Sequence, residues 1–399
     1  MRDPYVARNL AQADAQRAVF GLERQRRLDQ GVAQIAMVVR LVGQGRPLRG
    51  SVVESNLTAG KLPMVRCDPN AARAAETTAE EADGPMTTEI PLTLRVPGYD
   101  VPAMLSLPDA GAPLGAVLFV PGSLFADVHG DYPTWNVFPH SSAFLAQQMA
   151  ERGLVVYRFA KLGPGTGSEV TDPDAAAGIR DWAGRMTIAR AALQHFRSVL
   201  AERDIVVPKL VMAGHSEGAV VVSVLARDGV EADGVVLLAG PAVGILSVMR
   251  EQVPAMRPPE DRASITADLD RVIAAIMSGA PIPDELKQRE GIGGLAMMPP
   301  EGLRYMRESE ATDPAATIAA YDGPVLIVHG TKDGNLGIHH AERLRDVRGA
   351  RPTELCVLDG LSHMFKRLPD GLSPQEVFGF PGPTDERVAE AVAGWVRGL

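Results

Sequence analysis

One serine in this sequence has the setting of a nucleophile. Ser216 lies in Gly-His-Ser-Glu-Gly at residues 214–218, which follows one apolar run and precedes another. A serine at such a strand-to-helix turn is held in a strained backbone conformation that leaves its hydroxyl exposed above a sheet. Because the bare pattern is short, the strand before it and the helix after it support the prediction of a nucleophile.

A serine hydroxyl needs a base within hydrogen-bond reach, and that base needs an acid to orient it. In a parallel sheet these residues are expected in loops after later strands, in the chain order serine, acid, histidine. Asp333 follows the apolar run 324–328 and His363 follows the run 354–358, so both satisfy that order. Asp359 is a rival acid, but it shares a loop with the histidine, and we favour Asp333.

Acyl transfer also needs hydrogen-bond donors for the oxyanion of its transition state. One donor is expected from the backbone N–H of Glu217, and the other from the loop after the third strand. That loop reads Pro-Gly-Ser-Leu-Phe at residues 121–125. We assign the second donor to the N–H of Ser123, with Leu124 as the second choice.

The elements that must position these residues alternate between short apolar runs and helical patterns. Eight runs are predicted to be strands: residues 90–96, 101–107, 116–120, 154–159, 209–213, 234–239, 324–328 and 354–358. The first two read as an antiparallel pair, and the others suit parallel strands covered on both faces. The pattern predicts an α/β fold with a mainly parallel eight-stranded sheet and helices on both faces.

A long segment separates two of these strands. About 80 residues lie between the runs 234–239 and 324–328, far more than a plain connection needs. Helical patterns and six of the fifteen methionines fall there, which predicts a helical cap at about residues 242–320. Flexible thioethers suit irregular apolar ligands. The residues predicted to contact the substrate are Phe125, His215, Met297 and Met298.

The first 85 residues differ in pattern from the rest. Apolar residues at helical spacing lie within 28–42, and residues 71–84 are rich in Ala, Thr and Glu. We predict an N-terminal helical extension and linker at 1–85, followed by one α/β domain at 86–399 that contains the cap. The extension is expected either to pack on the cap or to form a homodimer contact.

Composition excludes several other classes of protein. With 46% hydrophobic residues, the chain is not expected to be disordered as a whole. Its net charge of −9 disfavours binding to the phosphate backbone of a nucleic acid, so nucleic acid is not an expected partner. No run of 18 apolar residues is present, so no membrane partner is expected. A cytoplasmic location is the default expectation.

No metal site is expected from the cysteines and the paired histidines. Cys67 and Cys356 cannot form a disulfide scaffold or a zinc site by themselves. His339 and His340 are adjacent, so on a helix their side chains should diverge by about 100° and should not chelate a metal.

These motifs together resemble the α/β-hydrolase superfamily, and most of all its bacterial branch related to dienelactone hydrolases and acyl-peptide-hydrolase-like serine esterases. The resemblance covers about residues 88–399. It rests on Pro-Gly-Ser at 121–123 with Asp127, Tyr-Arg-Phe at 157–159 leading into Gly-Pro-Gly at 163–165, Gly-His-Ser-Glu-Gly at 214–218, Pro-Val-Leu-Ile at 324–327 through Gly330 to Asp333, and Ser-His-Met-Phe-Lys at 362–366. One departure is Pro121, where the family usually has histidine.

The resemblance implies a catalytic triad of Ser216, Asp333 and His363. The implied activity is hydrolysis of a carboxylic ester of a small organic substrate through an acyl-enzyme, with no metal or organic cofactor. Thioester hydrolysis, acyl transfer and peptidase action use the same residues and stay open. A binding protein that kept the fold and lost activity is the alternative from another class.

Overall fold

One mixed sheet organises the part of the chain that the structure, a computed structural model, describes: residues 87–368, 379–380 and 382–399. The predictions for residues 1–85, namely a helical extension, a linker and a dimer contact, lie outside these residues. The strands are β1 (Thr87–Val96), β2 (Tyr99–Pro108), β3 (Gly115–Val120), β4 (Leu154–Phe159), β5 (Glu169–Val170), β6 (Leu210–His215), β7 (Gly234–Leu238), β8 (Val325–Gly330) and β9 (Thr353–Leu358).

Helices connect these strands and cover them. They are α1 (Ser141–Glu151), α2 (Pro173–Ala177), α3 (Trp182–Glu202), α4 (Glu217–Arg227), α5 (Ile245–Ala255), α6 (Arg262–Ser278), α7 (Asp284–Lys287), α8 (Gly293–Ala296), α9 (Pro300–Glu310), α10 (Pro314–Ala319), α11 (Ile338–Asp346) and α12 (Glu386–Gly398). None of the helices in the described ranges has the length and apolarity to span a bilayer.

The strand order confirms the predicted fold class. It is β1-β2-β4-β3-β6-β7-β8-β9, with β5 paired to β2. β2 runs antiparallel to its neighbours, whereas β4, β3, β6, β7, β8 and β9 run parallel to one another. The sheet has nine strands rather than the predicted eight, because the two-residue β5 pairs with Tyr99 and Asp100. A strand of that length carries no apolar pattern that a sequence could reveal.

Alternate residues of the central strands pack on opposite faces of the sheet, as the two-residue period of a strand requires. In β3, for example, Leu118 belongs to the core under α3 and α4, whereas Val117 belongs to the core under α1 and α12. Because both faces are covered, the central strands are mostly apolar, and the exceptions include the buried Arg158 in β4 and His329 in β8.

Six helices, α5 to α10, fill the connection between β7 and β8. We call α5 to α9, residues 245–310, the cap. Its helices share a hydrophobic core of their own, which includes Leu246, Leu269 and Met306. Helix α10 instead contributes Ile318 to the core beneath α4, so it is the crossover helix that leads into β8.

Candidate active site

Ser216 forms the turn between β6 and α4. Its backbone has φ 53° and ψ −122°, a region that a residue with a side chain occupies only when its surroundings hold it there. The N–H of Ser216 donates to the carbonyl of Leu238, the last residue of β7, at 2.9 Å. The neighbouring strand therefore fixes the turn that the sequence predicted.

Two glycines make this turn possible. A Cβ on Gly214 would lie 2.1 Å from the carbonyl oxygen of Gly218, and a Cβ on Gly218 would lie 2.3 Å from the carbonyl oxygen of Val120. Both distances are far inside van der Waals contact, so a side chain at either position would force the backbone segments apart. The second contact also places the start of α4 directly against the end of β3.

Asp333 and His363 meet at the carboxyl edge of the sheet, in the loops after β8 and β9. His363 Nδ1 lies 2.8 Å from Asp333 Oδ2, and both side chains are buried. Asp359, the rival acid, instead accepts a hydrogen bond from Thr331 Oγ1 at 2.8 Å. The structure therefore brings Asp333 rather than Asp359 to the histidine.

The surroundings of Asp333 keep its carboxylate ionised. Oδ1 accepts the backbone N–H groups of Asn335 and Leu336 at 2.8 and 2.9 Å. Burial by itself would raise the pKa of Asp333, but the electrostatic interaction and hydrogen bond with His363, the nearby His329 and the Leu336 N–H lower it below its ordinary value. With Nδ1–H of His363 donating to this carboxylate, the lone pair of the imidazole is on Nε2.

His215 contacts the loop that carries His363. Its Nε2–H donates to the carbonyl oxygen of His363 at 2.9 Å, and the two ring centroids are 4.9 Å apart. Burial and the neighbouring His363 lower the pKa of His215 to about 4, so the ring is neutral at pH 7. His215 also lines the cavity described below, where the sequence predicted it to contact the substrate.

The two segments predicted to supply oxyanion donors lie side by side. Ser123, Leu124 and Glu217 border the same cavity as Ser216. Leu124 has a φ of 69°, which turns the loop sharply. A Cβ on Gly122 would lie only 3.2 Å from the Cβ of Ser216, so glycine allows this loop to approach the serine closely.

A cavity of about 130 Å³ opens onto Ser216 and His363. Its other walls are mostly apolar and come from the sheet edge and from α5: Leu124, Val220, Val243, Ile245, Val248, Met249, Met256, Leu336 and Met364, with Gln252, Ser309 and Asn335 as polar members. An apolar cavity of about 150 Å³ in another protein holds one benzene molecule. This cavity therefore has room for one compact apolar group.

Three residues predicted to contact the substrate are not among those that line this cavity. The Phe125 ring packs against a glycine of the loop after β4. Met297, which follows α8, is 46% exposed, and Met298 packs against the core of the cap. The cap methionines that line the cavity are Met249 and Met256, because α5 leaves the sheet edge directly after β7.

A buried group of charges surrounds the Glu217 side chain, and no sequence motif indicated it. Glu217 Oε1 accepts hydrogen bonds from Lys161 Nζ at 2.8 Å and from the Tyr305 hydroxyl at 2.9 Å. The same oxygen lies 3.3 Å from Arg185 Nε. Burial would raise the pKa of Glu217, but the charges of Lys161 and Arg185 lower it. Burial also lowers the pKa of Lys161 to about 8.

Tyr305 belongs to α9, so this group ties the cap to the residue after the predicted nucleophile. Lys161 follows β4 and Arg185 lies in α3. Along the chain, Lys161 lies 56 residues from Glu217, Arg185 lies 32 residues from it and Tyr305 lies 88 residues from it. Such distant pairings have no signature in one sequence.

Glu251, His339 and His340 meet where α5 approaches α11. Glu251 Oε2 lies 3.1 Å from His340 Nε2 and 3.4 Å from His339 Nε2, and the two imidazole centroids are 4.3 Å apart. The predicted divergence of the two histidines is therefore not observed. However, His340 Nδ1 accepts the Ala242 N–H at 3.1 Å, so the neutral ring has its proton on Nε2 and donates to Glu251. Nε2 of His340 therefore has no lone pair available for a metal. We interpret Glu251, His339 and His340 as a polar contact between helices α5 and α11.

The strand order, the parallel core and the serine turn after β6 define the α/β-hydrolase fold, and the chain has this fold. The sequence matches no known protein-family profile, and no curated protein is significantly similar to it.

Several solved structures are similar to this chain. Est1E from Butyrivibrio proteoclasticus is 16% identical with a TM-score of 0.46, and the match covers 76% of this chain and 96% of Est1E. A dienelactone hydrolase from Anabaena variabilis is 14% identical with a TM-score of 0.42, covering 78% and 98% of the two chains. A proline iminopeptidase from Mycobacterium smegmatis is 17% identical with a TM-score of 0.46, covering 77% and 98%.

Proposed function

We propose that this protein is a serine hydrolase that cleaves a carboxylic ester of a small organic substrate through an acyl-enzyme. The observation that carries the proposal is the 2.8 Å contact between His363 Nδ1 and Asp333 Oδ2, beside a cavity that Ser216 also lines. A buried, ionised carboxylate that fixes the imidazole with a free Nε2 is what a base for a serine hydroxyl requires. The strained turn at Ser216 supports the same role.

In the proposed reaction, His363 Nε2 takes the proton of Ser216 as Oγ bonds to the ester carbonyl carbon. Backbone N–H groups of Glu217 and of Ser123 or Leu124 donate to the oxyanion. The bond to the leaving oxygen then breaks, and the imidazolium returns its proton to the departing alcohol. Water repeats these steps on the acyl-enzyme and releases the acid. Asp333 stays ionised and stabilises the imidazolium, and this scheme uses no metal or organic cofactor.

The cavity favours an ester with one compact apolar group, of the size of a single ring or a short branched chain. Its volume of about 130 Å³ is too small to enclose a long acyl chain. Thioester hydrolysis, acyl transfer and amide cleavage would use the same side chains, so the test must separate these reactions by substrate.

Labelling and turnover together test the proposal. A fluorophosphonate probe should modify Ser216 in the full-length protein, and peptide mass spectrometry would identify the modified residue. A panel of p-nitrophenyl esters, acyl-CoA thioesters and anilides should show hydrolysis of esters above the others, with Ser216→Ala as the blank. A wild-type protein that neither reacts with the probe nor exceeds the blank would overturn the proposal and favour a binding protein.

A further inference from the structure

We propose that Arg185 is a positioning residue that holds the two backbone segments of the oxyanion site together. The inference rests on the proposed function. Arg185 Nη2 donates to the carbonyl oxygen of Pro121 at 2.8 Å, and Arg185 Nε lies 3.3 Å from Glu217 Oε1. Pro121 begins the loop that offers the N–H of Ser123, and Glu217 carries the other backbone donor. One guanidinium therefore contacts both segments.

The two segments already touch beneath the serine, so a small displacement of one changes the geometry of both. A Cβ on Gly218 would lie 2.8 Å from the carbonyl oxygen of Pro121. The proline ring fixes φ at residue 121, and the hydrogen bond from Arg185 orients the carbonyl of that residue. Gly122 follows, and its position is fixed by close packing, since a Cβ there would lie 3.1 Å from the carbonyl oxygen of His215. We infer that the anchored peptide group before Gly122 sets where the loop toward Ser123 begins.

An arginine suits this role better than a lysine. Its planar guanidinium presents several donors in fixed directions, whereas an ammonium group is a point charge on a flexible stem. Lys161 already supplies a charged donor to Glu217 at 2.8 Å, but only Arg185 also reaches Pro121. Arg185 is not one of the described residues that line the cavity, and it is only 5% exposed. It therefore acts through the backbone rather than by touching the substrate.

Arg185→Lys tests the bridge that Arg185 forms between Pro121 and Glu217. The lysine keeps the buried positive charge but cannot contact both residues with the fixed geometry of a guanidinium. Three quantities are measured on the full-length protein: kcat, KM for a good ester, and Ki for a trifluoromethyl ketone that forms a hemiketal oxyanion on the serine. Loss of one oxyanion donor costs about 10²–10³ in rate, so misalignment should lower kcat by about 10- to 100-fold with KM nearly unchanged. Ki should rise by the factor by which kcat/KM falls, since both report the oxyanion.

Two comparison variants separate positioning from general disruption. Arg190→Lys changes an arginine of the same helix whose partner is Asp228 at 2.8 Å on the surface, and it should match the wild type. Tyr305→Phe removes the hydroxyl that donates to Glu217 Oε1 from the cap side but leaves the ion pair of Arg185 with Glu217 in place, and it should lower kcat far less than Arg185→Lys. If Arg185→Lys does not fold, Glu217→Gln weakens the same bridge from its other end and should give the same parallel changes.

The outcomes are distinct. The inference is wrong if Arg185→Lys keeps the wild-type kcat and Ki, or if kcat falls while Ki for the ketone stays constant. It is also wrong if Tyr305→Phe reproduces the full effect, because any contact with Glu217 would then suffice. A wild-type protein without probe labelling or ester hydrolysis would instead overturn the proposed function, and the inference with it.

Discussion

Replacing Asp333 by asparagine tests whether this acid sets the tautomer of His363. Asp333 Oδ1 accepts two backbone N–H groups, from Asn335 and Leu336. In the variant the amide oxygen must take that place, since an amide nitrogen cannot accept hydrogen bonds. The NH₂ group would then face His363 Nδ1 at the position where Oδ2 now lies 2.8 Å away. His363 Nδ1 would then have to accept a hydrogen bond from this NH₂ group, so the proton of the imidazole ring would move to Nε2.

A proton on Nε2 would remove the base that the proposed mechanism assigns to His363. The corresponding change in a Ser-His-Asp protease lowers kcat by about 10⁴, equivalent to about 5 kcal/mol of transition-state stabilisation. We expect a loss of that order in Asp333→Asn with KM little changed, measured by ester hydrolysis against a Ser216→Ala blank. Thermal unfolding should stay near that of the wild type, because both backbone hydrogen bonds persist.

Asp359→Asn is the matched control, since it changes the rival acid on the histidine loop and should keep the wild-type rate. The tautomer argument would be refuted if Asp333→Asn retained more than about a tenth of the wild-type kcat. It would also be refuted if the Asp359 variant showed the larger loss.

Three further changes have expected outcomes. Gly122→Ala should lower kcat by about 10- to 100-fold by pushing the loop off the serine turn, whereas Gly394→Ala, with no atom within 4 Å, should keep the activity and raise the melting temperature slightly. The pKa of His215 in the folded protein is about 4, against an ordinary value of 6.5. As pH falls, His215 is therefore protonated in the unfolded state before it is protonated in the folded state. The free energy of unfolding should decline between pH 6.5 and pH 4 for this reason. In urea unfolding, His215→Gln should show a weaker decline over that window; equal slopes would contradict the pKa assignment. Met249→Ala should shift kcat/KM toward bulkier acyl groups by enlarging the cavity, whereas Met277→Ala, at a position 40% exposed, should leave the order of substrates unchanged.

The features that a sequence could predict are those set by local patterns. The strand before Ser216, the helix after it and the two glycines around it all fall within a short window. Because the parallel strands end at one edge of the sheet, chain order alone placed Asp333 and His363 in adjacent loops. The fold class followed from the same apolar runs, and the missed strand Glu169–Val170 is too short to carry a pattern.

The features that the sequence could not predict depend on packing between distant segments. Which cap residues cover the serine depends on how α5 leaves β7, and this places Met249 rather than Met297 at the cavity. The bridge from Arg185 to Pro121 joins residues 64 positions apart. Its partners look like ordinary surface charges or loop residues until the three-dimensional arrangement is known.

The position of the cap within the connection between β7 and β8 has a consequence for protein engineering. Val243 and Pro314, which stand just outside the two ends of the cap, both line the cavity. A segment of different length spliced between these two points would close over the same serine, and the crossover helix into β8 would be kept. A hydroxyl donor at the site of Tyr305 would preserve the present hydrogen bond between the cap and Glu217 in such a transplant.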